Sequence, residues 1–377
     1  MKTILLVWSY CQNNFGDDML FFIIEKILKE KLWDFRLNII SENASNPYST
    51  DSKIQYILKR NLMGVIRAVI SSDVVVVWPW SVFSWLFNPQ KETLFVFYVS
   101  VFARFFFKKL IFLGIDYSPI QSKLFSFLSL FSLFLSDKIF VRFKQNYLKL
   151  DRYHMLWEKL QTINDLIFCN YTKELFDLGK SEYQKVKGQA MIVISDLSFS
   201  FHIESYEKFI ASSIKLLQEK GYNVKILSLN MSSYGNKDTE YLKALSQNYS
   251  LSISEDSFIS FDTWNKENIA GVFKLIWESE VILSNKLHSH IVAAILWVNI
   301  ISFSYHDKMR YLNHSIGLKE AFNFDIDHMT IENLEKYQSD FSQMLRVFIE
   351  SEGINFDTLK VSQEICKNQE IIDQIKV

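Results

Sequence analysis

The residues best suited to chemistry lie in Val281–Lys308, the segment VILSNKLHSHIVAAILWVNIISFSYHDK. Its first three residues form an apolar run that predicts a short strand, and the polar pair Ser284–Asn285 follows. Ser and Asn are favoured at helix N-caps, and apolar residues then recur at helical spacing. The pattern predicts a strand, a turn and a helix, with Lys286 and His288 in the first helical turn.

A cation and an imidazole at the start of a helix favour the binding of an anion. The first backbone N–H groups of a helix have no partner inside the helix, and the helix dipole places partial positive charge there. Lys286 and His288 therefore predict a site for a phosphate or a carboxylate. The alternative is structural: Lys286 is solvated and His288 bonds to a neighbouring carbonyl group. His290 points elsewhere on the helix and is expected to be structural.

The elements that must position these residues follow from length and periodicity. The chain has 377 residues, which predicts two domains. Strands and helices alternate, and the valine run Val74–Val77 is typical of a parallel sheet buried on both faces. We predict an α/β fold with two Rossmann-like domains, residues 1–185 and 186–345, separated by an interdomain cleft. Residues 346–377 are predicted to form a C-terminal helical tail.

Composition limits the partners and the compartment. The 41 basic and 42 acidic residues give a net charge of -1, so no global field recruits nucleic acid or anionic lipid. Cys11, Cys169 and Cys366 are far apart and show no metal-ligand spacing, so we expect free thiols and no metal site. No signal-peptide pattern opens the chain. These features predict a cytoplasmic protein.

Two apolar runs, Leu94–Ala103 and Leu124–Ser136, raise the question of a membrane. A spanning helix needs roughly 20 apolar residues, so neither run is expected to span. The second run lacks the basic polar face of a typical interfacial helix, and we expect it to be a buried core helix. Peripheral association with the inner face of a membrane remains the alternative.

Four polar positions are predicted at the carboxyl ends of strands, where ligands bind in such sheets. They are the turn Asn14–Asp18, Gly114, Arg142, and Lys286 with His288. Each also has a structural explanation. Gly16 serves a tight turn, Asp17 caps a helix, Gly114 ends a strand, and Arg142 pairs with an acid.

Taken in order, these segments resemble the polysaccharide pyruvyl transferase family over roughly residues 1–330. The family has an Asn…Gly-Asp-(Asp/Glu) turn, a Gly-x-x-x-x-Pro segment, a strand ending in Val-Arg-Asp, an Arg-Leu-His helix start and a Tyr-x-x-Lys element. The corresponding segments here are Asn14–Asp18, Gly114–Pro119, Phe140–Phe143, Lys286–His288 and Tyr305–Lys308. The third segment keeps Arg142 and lacks the Asp, and Lys286 replaces an Arg.

The resemblance implies a fold similar to glycosyltransferase type B and a function in cell-surface polysaccharide biosynthesis. Phosphoenolpyruvate would be the donor, and no other cofactor is implied. The acceptor would be a saccharide or a lipid-linked oligosaccharide, which receives the pyruvyl group as a ketal bridging two hydroxyls while phosphate is released.

The resemblance also implies roles for individual residues. The donor's carboxylate and phosphate need two cations, for which Arg142 and Lys286 are suited. His288 would be the acid, and Asp17 or Asp18 would orient or deprotonate the sugar hydroxyl. The remaining residues implied in substrate binding are Asn14, Gly16, Gly114 and Lys308.

One departure from the family concerns the loop after Val74–Val77. The family has three glycines there, whereas this chain has Trp78-Pro79-Trp80. Glycines let backbone approach a ligand closely, and indoles either fill that space or offer a stacking face for a sugar ring. We expect Trp80 to be such a platform, and Trp78, which adjoins the strand, to pack in the core.

Two other functions fit the same pattern. A nucleotide-sugar glycosyltransferase of type B fold would hold its diphosphate at the same helix start, with Glu278 or Glu280 binding the ribose hydroxyls. A non-catalytic sugar-binding relative is favoured by the replacement of the glycines by Trp78-Pro79-Trp80.

Overall fold

The structure is a computed structural model, and it describes residues 1–7, 14–32, 34–41, 51, 53–78, 89–117, 122–175, 184–197, 203–230, 238–351 and 353–374. The chain forms two compact units. The first contains Met1–Cys11, Leu20–Tyr171 and Cys366–Val377, and the second contains Gln12–Met19 and Thr172–Ile365.

The first unit is built on one parallel sheet with strand order β3-β2-β1-β4-β5-β6-β7. Its strands are β1 Lys2–Val7, β2 Phe35–Ser41, β3 Ile54–Leu58, β4 Val74–Val77, β5 Lys109–Ile115, β6 Lys138–Arg142 and β7 Leu160–Ile163. The helices of this half of the chain are α1 Phe15–Lys31, α2 Leu62–Ser71, α3 Pro89–Phe105, α4 Lys123–Leu135, α5 Lys144–Asp151 and α6 Asn170–Leu175, with a 3-10 helix at His154–Lys159.

The strand sequences explain the sheet. All four valines of β4 are buried, as expected for a central parallel strand that helices cover on both faces. The strand order reverses between β1 and β4, the kind of position at which such sheets bind ligands.

Gly114 does not end a strand, which corrects the sequence prediction. β5 continues to Ile115, and the pairing of β5 with β6 shifts register between Leu113 and Ile115. Gly114 has φ +67°, a left-handed conformation that glycine adopts without steric cost. The glycine therefore permits a bulge inside β5.

The prediction that Leu124–Ser136 forms a buried core helix is wrong for one face of α4. Leu124 is 61% exposed and Phe127 is 59% exposed, whereas Ser129 and Ser132 are fully buried. In the part of the chain that the structure describes, no helix is long and apolar enough to cross a membrane.

The second unit is built on a second parallel sheet with strand order β10-β9-β8-β11-β12-β13. The strands are β8 Gln189–Val193, β9 Asn223–Leu227, β10 Phe258–Ile259, β11 Val281–Ser284, β12 Asn299–Ser304 and β13 Asn323–Asp325. The helices of this half of the chain are α7 Ile203–Glu219, α8 Asp238–Asn248, α9 Lys266–Glu278, α10 Leu287–Leu296, α11 Asp307–Ser315, α12 Leu334–Glu350 and α13 Thr358–Gln374, with 3-10 helices at Glu255–Ser257, Glu320–Phe322 and Ile326–His328.

An aromatic cluster forms part of the core of the second unit. The ring of Phe209 on α7 packs against Phe303, Phe324 and Phe341, with centroid distances of 5.2, 5.7 and 5.8 Å. Burying one such side chain stabilises the fold by about 1.5–3 kcal/mol. Helix α7 ends before Gly221, whose φ of +83° is typical of a glycine that terminates a helix.

The two parallel α/β units confirm the predicted fold class. The sequence prediction places the division near residue 185, and the compact units change at Tyr171–Thr172. The predicted tail of residues 346–377 begins inside α12, and the chain returns to the first unit from Cys366, within α13. The segment Gln12–Met19, which contains the Asn14–Asp18 turn, belongs to the second unit.

Candidate functional site

The candidate site lies at the carboxyl edge of the second sheet, where the strand order reverses between β8 and β11. Asn285, just after β11, is bonded to the segment that follows β8 and to helix α7. Its Oδ1 accepts a hydrogen bond from the backbone N–H of Ser195 at 2.8 Å, and its Nδ2 donates to the hydroxyl of buried Tyr206 at 2.8 Å. This amide fixes the turn that precedes α10.

Lys286 is the N-cap residue of α10, one position earlier than the sequence predicted. Its backbone is extended, and its N–H donates to Ser284 Oγ at 2.9 Å. The helix begins at Leu287, so His288 lies in its first turn, as predicted. The side chain of Lys286 is therefore held at the positive end of the helix dipole.

The ammonium of Lys286 is paired with Asp238, the first residue of α8. Lys286 Nζ lies 2.5 Å from Asp238 Oδ2, and the Asp238 side chain is fully buried. The same oxygen accepts the backbone N–H of Asn230 at 3.1 Å. Burial raises the pKa of Asp238, and the charge of Lys286 and its hydrogen bond oppose that rise.

Sequence analysis missed Asp238. Its only local signal is an acidic residue at the start of a helix, beyond the carboxyl end of β9. Acidic residues are common at helix starts, so this signal alone does not separate a capping residue from a partner for a lysine.

The Asn14–Asp18 turn lies against the segment that follows β9. Asn14 forms an isolated bridge with Asn230, and the N–H of Phe15 donates to Leu229 O at 3.1 Å. Asn14 Oδ1 accepts the N–H of Gly16 at 3.1 Å. Asn14 thus caps α1, which begins at Phe15, whereas Asp17 was the cap considered from the sequence.

Gly16 is needed because the ring of His288 lies directly against it. A Cβ atom built on Gly16 would lie 1.7 Å from His288 Nδ1. The two sequence-predicted site residues are therefore brought together, and the reason for the glycine is close approach, not a turn conformation. Asp17 and Asp18 follow in the first turn of α1, 9% and 1% exposed, where carboxylates are favoured by the helix dipole.

The segment after β12 contributes to the same edge of the sheet. Burial raises the pKa of Tyr305, and the negative charge of Asp238 raises it further. His306 caps α11, since its Nδ1 accepts the backbone N–H of Lys308 at 3.2 Å. Lys308 is partly exposed in the first turn of α11.

Arg142 and Gly114 belong to the first unit, whereas the residues described above belong to the second. Arg142, at the end of β6, is 6% exposed. Its Nη1 lies 3.2 Å from Asp165 Oδ2 and 4.0 Å from Asp116 Oδ2. The guanidinium is held by two buried carboxylates, and its predicted role in substrate binding stays a prediction.

Amide side chains complete the surroundings of Arg142. Asn146 Nδ2 donates to Asp116 Oδ1 at 3.1 Å and to Arg142 O at 2.6 Å. Asn368 on α13 accepts the N–H of Asn164 at 2.8 Å and donates to Asp165 O at 2.7 Å. The result is a buried polar network in which the backbone of the Asp165 loop is also fixed.

The structure also describes Trp78 and His290, two other residues that the sequence singled out. Trp78 is 2% exposed and packs in the core, as predicted, whereas Pro79 and Trp80 lie outside the described residues. His290 is fully buried with Asn313 Oδ1 and Ser284 O at its two ring nitrogens, which confirms a structural role. Among the described residues, no three His, Cys, Asp or Glu side chains are grouped to hold a metal ion.

Glu278 and Glu280 lie at the opposite edge of the sheet from the candidate site. Glu278 is the last residue of α9, and Glu280 directly precedes β11, at its amino end. Glu280 accepts the N–H of Gly188 at 2.7 Å and the hydroxyl of Tyr222 at 3.2 Å. The expectation that either glutamate binds a ribose is therefore wrong for a ligand at the carboxyl edge.

The chain matches no protein-family model and no curated protein. Solved structures are similar to it over nearly the whole length. The S. aureus MnaA–UDP co-structure has a TM-score of 0.58 at 12% identity, covering 97% of this chain and 92% of that chain. Methanocaldococcus jannaschii UDP-GlcNAc 2-epimerase in complex with UDP-GlcNAc and UDP has a TM-score of 0.57 at 11% identity, covering 96% and 98%.

The Neisseria meningitidis UDP-GlcNAc 2-epimerase bound to UDP-GlcNAc is also similar, with a TM-score of 0.54 at 11% identity over 98% of this chain and 99% of that chain. Sequence identity this low shows the fold alone. The chain has the two-domain, parallel-sheet α/β architecture of the type B glycosyltransferase class.

Proposed function

We propose that this chain is an enzyme of saccharide metabolism whose donor substrate is a nucleotide sugar. The observation that carries the proposal is Lys286, which is held at the start of α10 by the fully buried Asp238. This is the reversal point of the second sheet, where a diphosphate would receive the backbone N–H groups of the helix and one ammonium charge. Similar structures that contain UDP or UDP-GlcNAc support this class of donor.

The side chains around this point have separable tasks in the proposal. Lys286 would bind a phosphate oxygen in exchange for its ion pair with Asp238. His288 would supply or remove a proton close to the phosphate, since imidazole titrates near neutral pH. Gly16 would let His288 reach its position, because any side chain there meets the ring.

Pyruvyl transfer from phosphoenolpyruvate is the second candidate. The contact between Gly16 and His288 favours it, because it joins two segments that match the pyruvyl transferase pattern. That donor needs a second cation for its carboxylate. The cation predicted for this task, Arg142, already pairs with Asp165 and Asp116, and for that reason we rank the nucleotide sugar first.

Ligand-dependent thermal stability separates the two donors. A ligand that binds only the folded state raises the melting temperature by mass action. We expect UDP and UDP-GlcNAc to raise it and phosphoenolpyruvate to leave it unchanged. The opposite result supports pyruvyl transfer, and no shift with any of the three removes both enzymatic candidates in favour of a non-catalytic sugar-binding protein.

Variants at the candidate site sharpen this test. Lys286→Ala should weaken UDP binding by about 1.5–3 kcal/mol, the usual scale for hydrogen bonds to a charged group. Lys215→Ala is a matched control, since this lysine is exposed on α7. His288→Ala should lower turnover more than affinity, because a proton donor acts in the transition state. Isothermal titration calorimetry and release of UDP on a panel of saccharide acceptors measure the two effects.

A further inference from the structure

Helix α4 exposes apolar side chains and buries polar ones. Leu124, Phe127, Phe131 and Phe134 follow one another at spacings of three and four residues and are 61%, 59%, 36% and 44% exposed. Residues at these spacings lie on one face of a helix. An exposed stripe made only of large apolar side chains is the reverse of the pattern expected for a water-soluble surface helix.

The buried face of α4 shows that this orientation is built into the packing. Ser129 and Ser132 are fully buried, and their hydroxyls donate to the carbonyl oxygens of Ser126 and Leu128 at 2.8 Å. Small serines let α4 approach its neighbours closely and satisfy their own hydroxyls within the helix. The inner face of α4 therefore holds small side chains, and the phenylalanines lie on its outer face.

The apolar stripe continues onto α3. The ring of Phe131 lies 6.2 Å from that of Phe97, and Phe97 lies 5.9 Å from Tyr98, which is 52% exposed. Within α4, Phe127 and Phe131 stack at 5.8 Å, and Phe131 and Phe134 lie 6.1 Å apart. These contacts define one surface, the phenylalanine face, formed by Leu124, Phe127, Phe131 and Phe134 of α4 with Phe97 and Tyr98 of α3.

Lysines stand at both ends of α4, beside the phenylalanine face. Helix α4 contains no acidic residue, and exposed Lys123 stands at its first position. At its other end exposed Lys138 follows the helix, and Lys159 Nζ, 5.1 Å from the centre of the Phe134 ring, donates to the carbonyl oxygens of Phe134 and Ser136 at 2.6 and 2.9 Å. The nearby acid of this region, Asp137, is bonded to the backbone N–H of Leu110 at 2.7 Å and lies 3.4 Å from Arg104.

We propose that the phenylalanine face binds the surface of a lipid bilayer that contains anionic lipids. Phenylalanine rings insert at the boundary between headgroups and acyl chains, while lysines at the edge of the inserted face contact lipid phosphates. A bilayer matches this combination of an acid-free aromatic stripe with lysines at both ends. The protein binds the membrane peripherally, through the phenylalanine face of the first unit. This inference is independent of the proposed donor.

Vesicle co-sedimentation tests the proposal with the full chain. We expect the wild type to sediment with vesicles of phosphatidylcholine and phosphatidylglycerol, and less with phosphatidylcholine alone. Leu124→Gln combined with Phe127→Gln, the two most exposed positions of the stripe, should reduce partitioning about tenfold or more. Lys123→Glu should reduce binding to the anionic vesicles by about fivefold or more and leave phosphatidylcholine binding unchanged.

Matched controls distinguish this surface from general apolar exposure. Val347→Gln with Ile349→Gln alters two apolar residues of α12 that are 53% and 47% exposed, and Lys215→Glu reverses a charge on α7. Neither control should change vesicle binding, and circular dichroism should show that all variants are folded. The proposal is overturned if the wild type stays in the supernatant with both vesicles, or if the Leu124/Phe127 variant binds as the controls do. It is also overturned if, without lipid, the wild type self-associates and only that variant is monomeric, since a second copy then covers the face.

Discussion

Each unit of the molecule contains a basic residue that the sequence marked as a ligand for anions, and the two have different surroundings. Arg142 in the first unit has two buried carboxylates close by and amide side chains that fix the backbone around them. Lys286 in the second unit has one carboxylate, Asp238, and its side chain is 14% exposed. Both are paired and both lie at the start of a helix, α5 or α10, and only the lysine has a histidine in the first turn of its helix.

We interpret the ion pairs of Arg142 as structural and the ion pair of Lys286 as part of a ligand-binding site. Removing the partner of a buried charge is costly, so a fully enclosed pair mainly holds its own surroundings together. A pair at the positive end of a helix dipole, with part of the cation accessible, can exchange its carboxylate for a ligand anion. We therefore expect changes at Arg142 to affect stability and changes around Lys286 to affect binding.

The largest effect is expected for Arg142→Met. The substitution leaves Asp165 and Asp116 without their buried cation, which should lower the free energy of unfolding by about 3–5 kcal/mol. Urea unfolding followed by circular dichroism measures it. Arg104→Met is the control, because Arg104 is 57% exposed beside Asp137 and should change stability by at most about 1 kcal/mol. Equal losses in the two variants would show that the enclosed network is no more important than a surface pair.

Gly16→Ala should have the next largest effect, and mainly on function. The new methyl group would overlap the His288 ring, so the imidazole must move. Displacing a reacting group by about 1 Å can lower turnover about 100-fold, while overpacking costs about 1–3 kcal/mol of stability. Both UDP release and urea unfolding should be measured.

A helical glycine elsewhere in the second unit provides the control for that variant. At Gly271 in α9 a Cβ would meet only Phe261, at 3.4 Å. Gly271→Ala should keep full turnover and gain about 0.5–1 kcal/mol of stability, since alanine is the better helix former. Full activity in Gly16→Ala would remove His288 from the mechanism.

The smallest effect is expected for Asp238→Asn, and it depends on pH. Burial raises the pKa of Asp238 above 3.8, so in the folded protein its carboxyl holds a proton to higher pH than in the unfolded chain. This raised pKa adds to the free energy of unfolding. The contribution is fully present at pH values below the pKa of the unfolded chain and is lost as the pH rises through the pKa of the folded protein. Asp238→Asn should lack this pH-dependent loss.

Ligand binding gives a second readout for Asp238. In the wild type the carboxylate and a ligand phosphate compete for Lys286, so protonation of Asp238 at lower pH should strengthen UDP binding. At neutral pH the Asp238→Asn variant should bind UDP severalfold more tightly than the wild type. Its affinity for UDP should also change less with pH than that of the wild type. Weaker binding in the variant would mean that Asp238 is needed to orient the lysine, and the proposed exchange of partners would be wrong.

How far the sequence predicts this molecule depends on the range of the interactions involved. Period and composition predict the β4 valines and the strand, turn and helix around Lys286, because these patterns are local. The pairing of Lys286 with Asp238 has no local signature. Likewise, an apolar run such as Leu124–Ser136 indicates a helix and leaves open which face is buried, because serines inside and phenylalanines outside follow from the shape of the neighbours.

The role of Asn368 in the first unit has a consequence for the order in which the chain folds during synthesis. Its side chain bonds to Asn164, from which it is 204 residues distant in sequence, and to the carbonyl of Asp165. Domains generally fold as units from the N-terminus while the ribosome extends the chain. Here the loop that carries the carboxylate partner of Arg142 stays incomplete until the whole of the second unit has been translated. The unit that begins first is therefore finished last.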